Sequence, residues 1–176
     1  MLALLILGSS HVTLNPNFGA FSGGYFHTTL RVPHGAAGMH TTRLEIDVPH
    51  GVLVAKPEVP DDWTATLETR ELSANERYTS HGVSKTSAPH RITLVAESHT
   101  DGVHDDHLLN IDMQLKIGCI FQDIASNTRW NDEYTLWWPV TQVCELADGT
   151  RRTLSWNSTH SQHEDGTSAS WSMLPV

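Results

Sequence analysis

The chain of 176 residues is poor in positive charge: 11 Lys and Arg stand against 20 Asp and Glu, a formal net charge of −9. So few cations cannot build the basic patch that a phosphate-backbone binder needs, and nucleic acid is excluded as the expected partner. Cysteine is scarce too. Cys119 and Cys144 are too few for a disulfide-rich scaffold or an all-cysteine zinc site. Long apolar runs are missing: residues 1–7, Met-Leu-Ala-Leu-Leu-Ile-Leu, are wholly apolar but far too short to span a bilayer. There is no P-loop, dinucleotide glycine fingerprint, Gly-x-Ser-x-Gly elbow or His-Glu-x-x-His pair. No capped helical stretch is visible either. What remains is 39% hydrophobic and 18% charged residues, enough apolar material for one core and too much for a disordered chain. The 12 histidines outnumber the lysines and arginines together, and that excess directs the search toward metal.

The dominant pattern is alternation. Leu44, Ile46 and Val48 share one side of a strand, as do Trp63, Ala65 and Leu67, and Ile92, Leu94 and Ala96. The longest such series is Leu109, Ile111, Met113, Leu115 and Ile117, with polar residues between. Tyr134, Leu136, Trp138 and Val140 read as a fifth strand, and Leu154 with Trp156 as a sixth. Period two with one polar face predicts antiparallel strands packed on one side. Pro-His-Gly at 33–35 and 49–51, Pro57 to Pro60 and Asp148-Gly149 punctuate them. The expected fold is all-β: a single antiparallel β-sandwich of roughly seven to nine strands. Residues 1–10 read as a secretory signal, its start missing, with cleavage after Ser10, and a buried first strand is the alternative. Residues 11–156 form the sandwich domain, and the Ser-, Thr- and His-rich segment 157–176 is expected to be loosely held.

An ordered series of short elements adds a resemblance. From His11 the chain reads His-Val-Thr-Leu-Asn-Pro-Asn, then Leu30-Arg31-Val32-Pro33-His34-Gly35, Thr41-Thr42-Arg43-Leu44-Glu45, Gly51-Val52, Lys56-Pro57 and Trp63. His81-Gly82, Asp105-Asp106, Pro139-Val140, Gln142, Cys144-Glu145 and Leu174-Pro175 follow. This series resembles the YcnI-like family of exported copper-binding proteins, domain of unknown function 1775. The resemblance implies an immunoglobulin-like or cupredoxin-like sandwich, in agreement with the strand pattern, and Cu(II) held by the mature N-terminus. The chemistry is sound in itself: a terminal His offers an α-amine and an imidazole on one residue, and Cu(II) favours such nitrogen ligands. The amine ordinarily titrates at about 7.7–8.0, so metal displaces its proton at modest cost near neutral pH. While residues 1–10 remain attached, His11 has only an amide nitrogen, so processing would switch the site on.

The second ligand is open. Family members set a Glu just after Arg-Val-Pro; here His34 and Gly35 stand there, and His34 is either a replacement ligand or a solvated turn residue. His27 alternates with Tyr25 and Thr29 and is either a lining residue of the same pocket or a surface histidine. The resemblance also implies a tryptophan near the copper. Trp156 is the positional match, with plain core packing as the competing reading, and Trp63 reads as core. The chain departs from its relatives at Ala36, where they carry a Cys, and at Leu109-Asn110-Ile111, where they carry an acidic-aromatic stretch. Whether Cys144 pairs with Cys119 is undecided: were their strands antiparallel neighbours, the two would lie roughly 30 Å apart, whereas a bridge needs Cα atoms within about 7 Å.

Two further clusters are rich in ligand-type side chains: His99, Asp101, His104, Asp105, Asp106 and His107, and in the tail His160, His163, Glu164 and Asp165. Both read first as solvated acidic loops, the former with a second, weaker metal site as its alternative. Asn157-Ser158-Thr159 is a glycosylation sequon, meaningful only in a eukaryotic secretory pathway. The expected function is a non-enzymatic, exported copper protein, periplasmic, cell-surface or extracellular, exchanging Cu(II) with another copper-handling protein or transporter. A histidine-brace copper oxidase or monooxygenase is the enzyme alternative, and a metal-free interaction sandwich the third.

Overall fold

The computed structural model describes residues 12–16, 23–118, 127–130, 133–156 and 173–175. His11, the leader at 1–10, Cys119 and the tail cluster at 160–165 lie outside the described residues. Apart from one 3-10 turn, His99–Asp101, the described elements are strands.

Two antiparallel sheets carry the fold. In the first, β1 (Thr13–Pro16), β2 (Tyr25–Val32), β10 (Leu109–Ile117) and β4 (Val52–Pro57) lie in the order β1-β2-β10-β4. In the second, β14 (Arg151–Trp156), β13 (Val140–Glu145), β3 (His40–Asp47), β8 (Ser87–Ala96) and β5 (Trp63–Glu71) follow one another, and the short β9 (Val103–His104) pairs with the start of β3. Two smaller pieces complete it: the hairpin β6 (Tyr78–Ser80) with β7 (Val83–Lys85), and β11 (Asn127–Trp130), β12 (Glu133–Trp137) and β15 (Met173–Pro175) in a three-stranded sheet. The expected strand count is therefore exceeded. The additions are short strands of two to six residues, too brief to carry a readable alternation.

The sandwich follows from the alternation. In β10, Leu109, Ile111, Met113, Leu115 and Ile117 are all buried, while Asn110 and Asp112 are exposed. They meet Leu30 and Val32 of β2 and, from the facing sheet, Leu44, Ile46, Ile92 and Leu94, in one continuous core. Each such side chain contributes about 1.5–3 kcal/mol relative to leaving it in water. In β5 the inward face fades: Trp63 is buried, Ala65 half-buried and Leu67 44% exposed, so the strand runs out beyond the core.

One expected strand is two. Leu136, Trp138 and Val140 are all buried as the alternation predicts, but β12 ends at Trp137 and β13 begins at Val140 in a different sheet. Pro139 lies between them. It has no N–H for the ladder and restricts the residue before it, so the chain leaves one sheet there and enters the next. Its carbonyl accepts the Asp47 N–H at 2.9 Å and ties the crossing to the end of β3.

Candidate functional site

The segment 33–39 joins β2 to β3 across the end of the sandwich and carries His34, Gly35 and Ala36. β1 also starts here: it runs antiparallel to β2 with Thr13 opposite Arg31, so the start of β1 lies beside the end of β2 that leads to His34. Val12, just before β1, is completely buried.

His34 is half-buried. Its Nδ1 lies 2.9 Å from the Gly35 carbonyl oxygen. A carbonyl only accepts, so Nδ1 carries the proton, and in the neutral ring the lone pair sits on Nε2. The ring meets Trp156 edge-on, with centroids 6.1 Å apart and planes at 78°. Trp156 is 1% exposed. Core packing and proximity to the expected ligand are thus both true of it.

Gln142 connects the two. The inward face of β13 holds Val140, Gln142 and Cys144, all buried. A fully buried glutamine needs partners at both ends of its amide, and it has them. Its Oε1 accepts the Trp156 indole N–H at 2.9 Å, and its Nε2 donates to the His34 carbonyl at 3.0 Å and to Thr41 Oγ1 at 2.7 Å. One side chain therefore fixes the backbone at His34, the Trp156 indole and the Thr41 hydroxyl.

Cys144 completes the floor. It is a free, buried thiol whose Sγ accepts the Ala36 N–H at 3.3 Å. Its strand and β10, which precedes Cys119, lie in different sheets rather than side by side. Gly35 packs tightly here: a Cβ there would stand 3.1 Å from both Cys144 Sγ and Thr41 Oγ1, so a larger residue would have to push those side chains aside.

A bulge arranges the facing residues. The β13–β3 register shifts between Val143 and Cys144, which pairs Cys144 with Thr41 and Glu145 with His40. Successive side chains take opposite faces, so Thr41 and Cys144 turn inward toward Gln142 while His40 and Glu145 turn outward.

The structure brings His34 and Trp156 together and leaves His27 apart. His27 is exposed, opposite Gln114 in β10, and lies about 20 Å before His34 along an extended chain. Trp63 is core, its indole N–H donating to the Asp101 carbonyl at 2.9 Å. Thr41 and Gln142 went unassigned as site residues in the sequence. The available signal was a polar residue in an inward slot, Gln142 two places after Val140.

A β-sandwich whose end displays a half-buried imidazole, oriented from behind by a glutamine and flanked by an indole, is the class of protein that this fold and site define. The match to the family model for domain of unknown function DUF1775 covers residues 11–170, and the chain belongs to that family. Among solved structures it is similar to an uncharacterized protein from Nocardia farcinica whose crystal structure is described as revealing an immunoglobulin-like fold. The two share 22% identity at a TM-score of 0.61, over 94% of this chain and 97% of that one. No curated protein matches.

Proposed function

We propose that this protein is an exported, non-catalytic holder of Cu(II), gripping the ion with the α-amine and imidazole of a mature N-terminal His11 and with His34 Nε2. The observation that carries the reading is the orientation of His34. Its Nδ1–H is committed to the Gly35 carbonyl, the arrangement by which a histidine ligand is held in the tautomer that offers its other nitrogen. Two further observations support it. Val12, which follows His11 in the sequence, is buried just before β1, beside the strand end that leads to His34. Trp156 closes one side of the His34 ring, which would shield a bound ion from solvent. On this reading copper is cargo, received from or passed to another copper-handling protein, and the net charge of −9 favours a cation at long range.

The test compares two chains by calorimetry and by the Cu(II) electron paramagnetic resonance spectrum. A chain beginning at His11 binds one Cu(II) with nitrogen hyperfine structure, and His34→Gln weakens binding and removes one nitrogen. A chain with one extra residue before His11 binds orders of magnitude more weakly. Equal affinity in the two forms would refute the proposal. Oxygen consumption by the copper form under reductant, coupled to turnover of a polysaccharide, would replace the holder by an enzyme.

A further inference from the structure

The cations of this acidic chain fall into two groups. Arg43, Arg70, Arg91 and Arg151 each reach a carboxylate at 2.6–2.8 Å. The three lysines, Lys56, Lys85 and Lys116, have no ion-pair partner among the described residues. They also lie together. Lys116 of β10 stands opposite Tyr25 of β2 and Val54 of β4, so these side chains share the outward face of the first sheet. Lys56, two residues from Val54, is on that same face. The Lys116 ammonium lies over two phenol rings, 4.9 Å from the Tyr25 centroid and 5.1 Å from that of Tyr78. Tyr78 is the cross-strand partner of Lys85 in the β6–β7 hairpin, which brings the third lysine to the same corner.

We propose that this corner docks the protein on a bilayer surface rich in anionic phospholipid. Charge complementarity carries the argument. The hairpin from Tyr78 to Lys85 contains no carboxylate. On the sheet face, Asp112 and Glu58 come beyond Lys56, on the side away from Lys116, and Asp112 accepts the Thr29 hydroxyl. Three ammonium groups are thus presented without an internal counter-charge, in a chain whose net charge is −9. Lysine is a compact, hydrated point charge on a flexible stem and lacks the planar fork of arginine. It suits a fluid layer of phosphates that move to meet it, where a fixed carboxylate would favour the fork.

The groups around the lysines fit the same surface. Tyr25 is 44% exposed, and Val83, beside the hairpin turn, is 56% exposed. A tyrosine, with its apolar ring and polar tip, is at home at the boundary between lipid and water. The net charge of −9 opposes approach of the molecule as a whole to an anionic surface. At physiological salt, however, exposed charges more than about 8 Å away are largely screened, so the lysine corner sets the contact. The eight residues of β2 run from Tyr25 toward His34, so about 25 Å of strand separates the docked corner from the His34 end. The proposal therefore does not depend on copper, and it leaves His34 clear of the bilayer.

The test is flotation of the full 176-residue chain with vesicles of phosphatidylglycerol and phosphatidylcholine in equal parts, and with vesicles of phosphatidylcholine alone. The apolar residues 1–7 would enter both, so the quantity read is the difference between the two. The chain prefers the anionic vesicles, and raising salt from about 0.1 M to about 1 M abolishes the preference. Lys56→Glu combined with Lys85→Glu, both at exposed positions, lowers partition onto the anionic vesicles at least ~10-fold. His34→Gln leaves it unchanged. Equal partition onto the two kinds of vesicle overturns the docking surface, as does an undiminished preference in the double variant or a loss in His34→Gln. Binding of soluble polyglutamate without a preference for anionic vesicles also overturns it, and assigns the corner to an acidic protein.

Discussion

Gln142 shows how much can depend on one side chain. Replacing it by Leu conserves approximate size but orphans the Trp156 indole N–H and the His34 carbonyl and leaves the Thr41 hydroxyl only its long 3.9 Å contact with Cys144 Sγ. Each buried group left unsatisfied costs about 1–3 kcal/mol, and shared relaxation makes the sum less than additive. Gln142→Leu should therefore lose about 2–4 kcal/mol in urea unfolding and shift the Trp156 fluorescence. An unchanged midpoint would mean that the network is not coupled to stability. Glu76 is a second residue whose setting has a measurable consequence. The Arg70 guanidinium at 2.8 Å and the Ser73 hydroxyl and N–H hold its carboxyl down from the ordinary 4.5 to about 2. A depressed carboxyl stabilises the fold above its unfolded value, and that contribution fades as pH falls from about 4.5 through about 2. Glu76→Gln should be less stable than the parent at pH 7, with the gap closing toward pH 2. Parallel urea midpoints for the two proteins across that range would contradict the assignment.

Turns and strand ends decide where the elements place these residues. The 3-10 turn His99–Asp101 and β9 lie close on β3 because Gly102 has no side chain, and the Trp63 indole anchors the turn through the Asp101 carbonyl. Gly102→Ala forces a Cβ against backbone rather than against a flexible side-chain tip. We expect a loss of about 1–3 kcal/mol and, in hydrogen exchange, faster opening of the His40–His104 pairing while β8 and β10 keep their protection. A uniform change across the sheets would show that the turn is not a separate unit. At Pro139 the alternation remains intact while the strand does not, because side-chain burial and backbone pairing are separate requirements. Leu136 and Val140 satisfy the first in both sheets, and only the missing N–H reveals the break.

At the scale of the whole molecule, the core joins both sheets, so removing a side chain from its centre should weaken both at once. Ile111→Ala, at a fully buried position in β10, is expected to cost about 2–5 kcal/mol. Far-ultraviolet dichroism and tryptophan fluorescence should report a single shared midpoint, and separated transitions would mean that the sheets unfold independently. The sandwich class was legible because burial on one face writes itself as alternation, most clearly over Leu109–Ile117. His34 and Trp156 could be named as candidates from their order along the chain, and so could the histidines and aspartates near residue 104. The sequence by itself determined which residues face inward and which ligand-type side chains are available, since periodicity and composition are local properties. Only the tertiary structure decided that Gln142 bridges His34 to Trp156, that His27 stands apart, and that His40 joins His104. Those contacts depend on strand order and on a one-residue bulge, and a register shift of one place exchanges the two faces of a strand without altering a letter of its sequence.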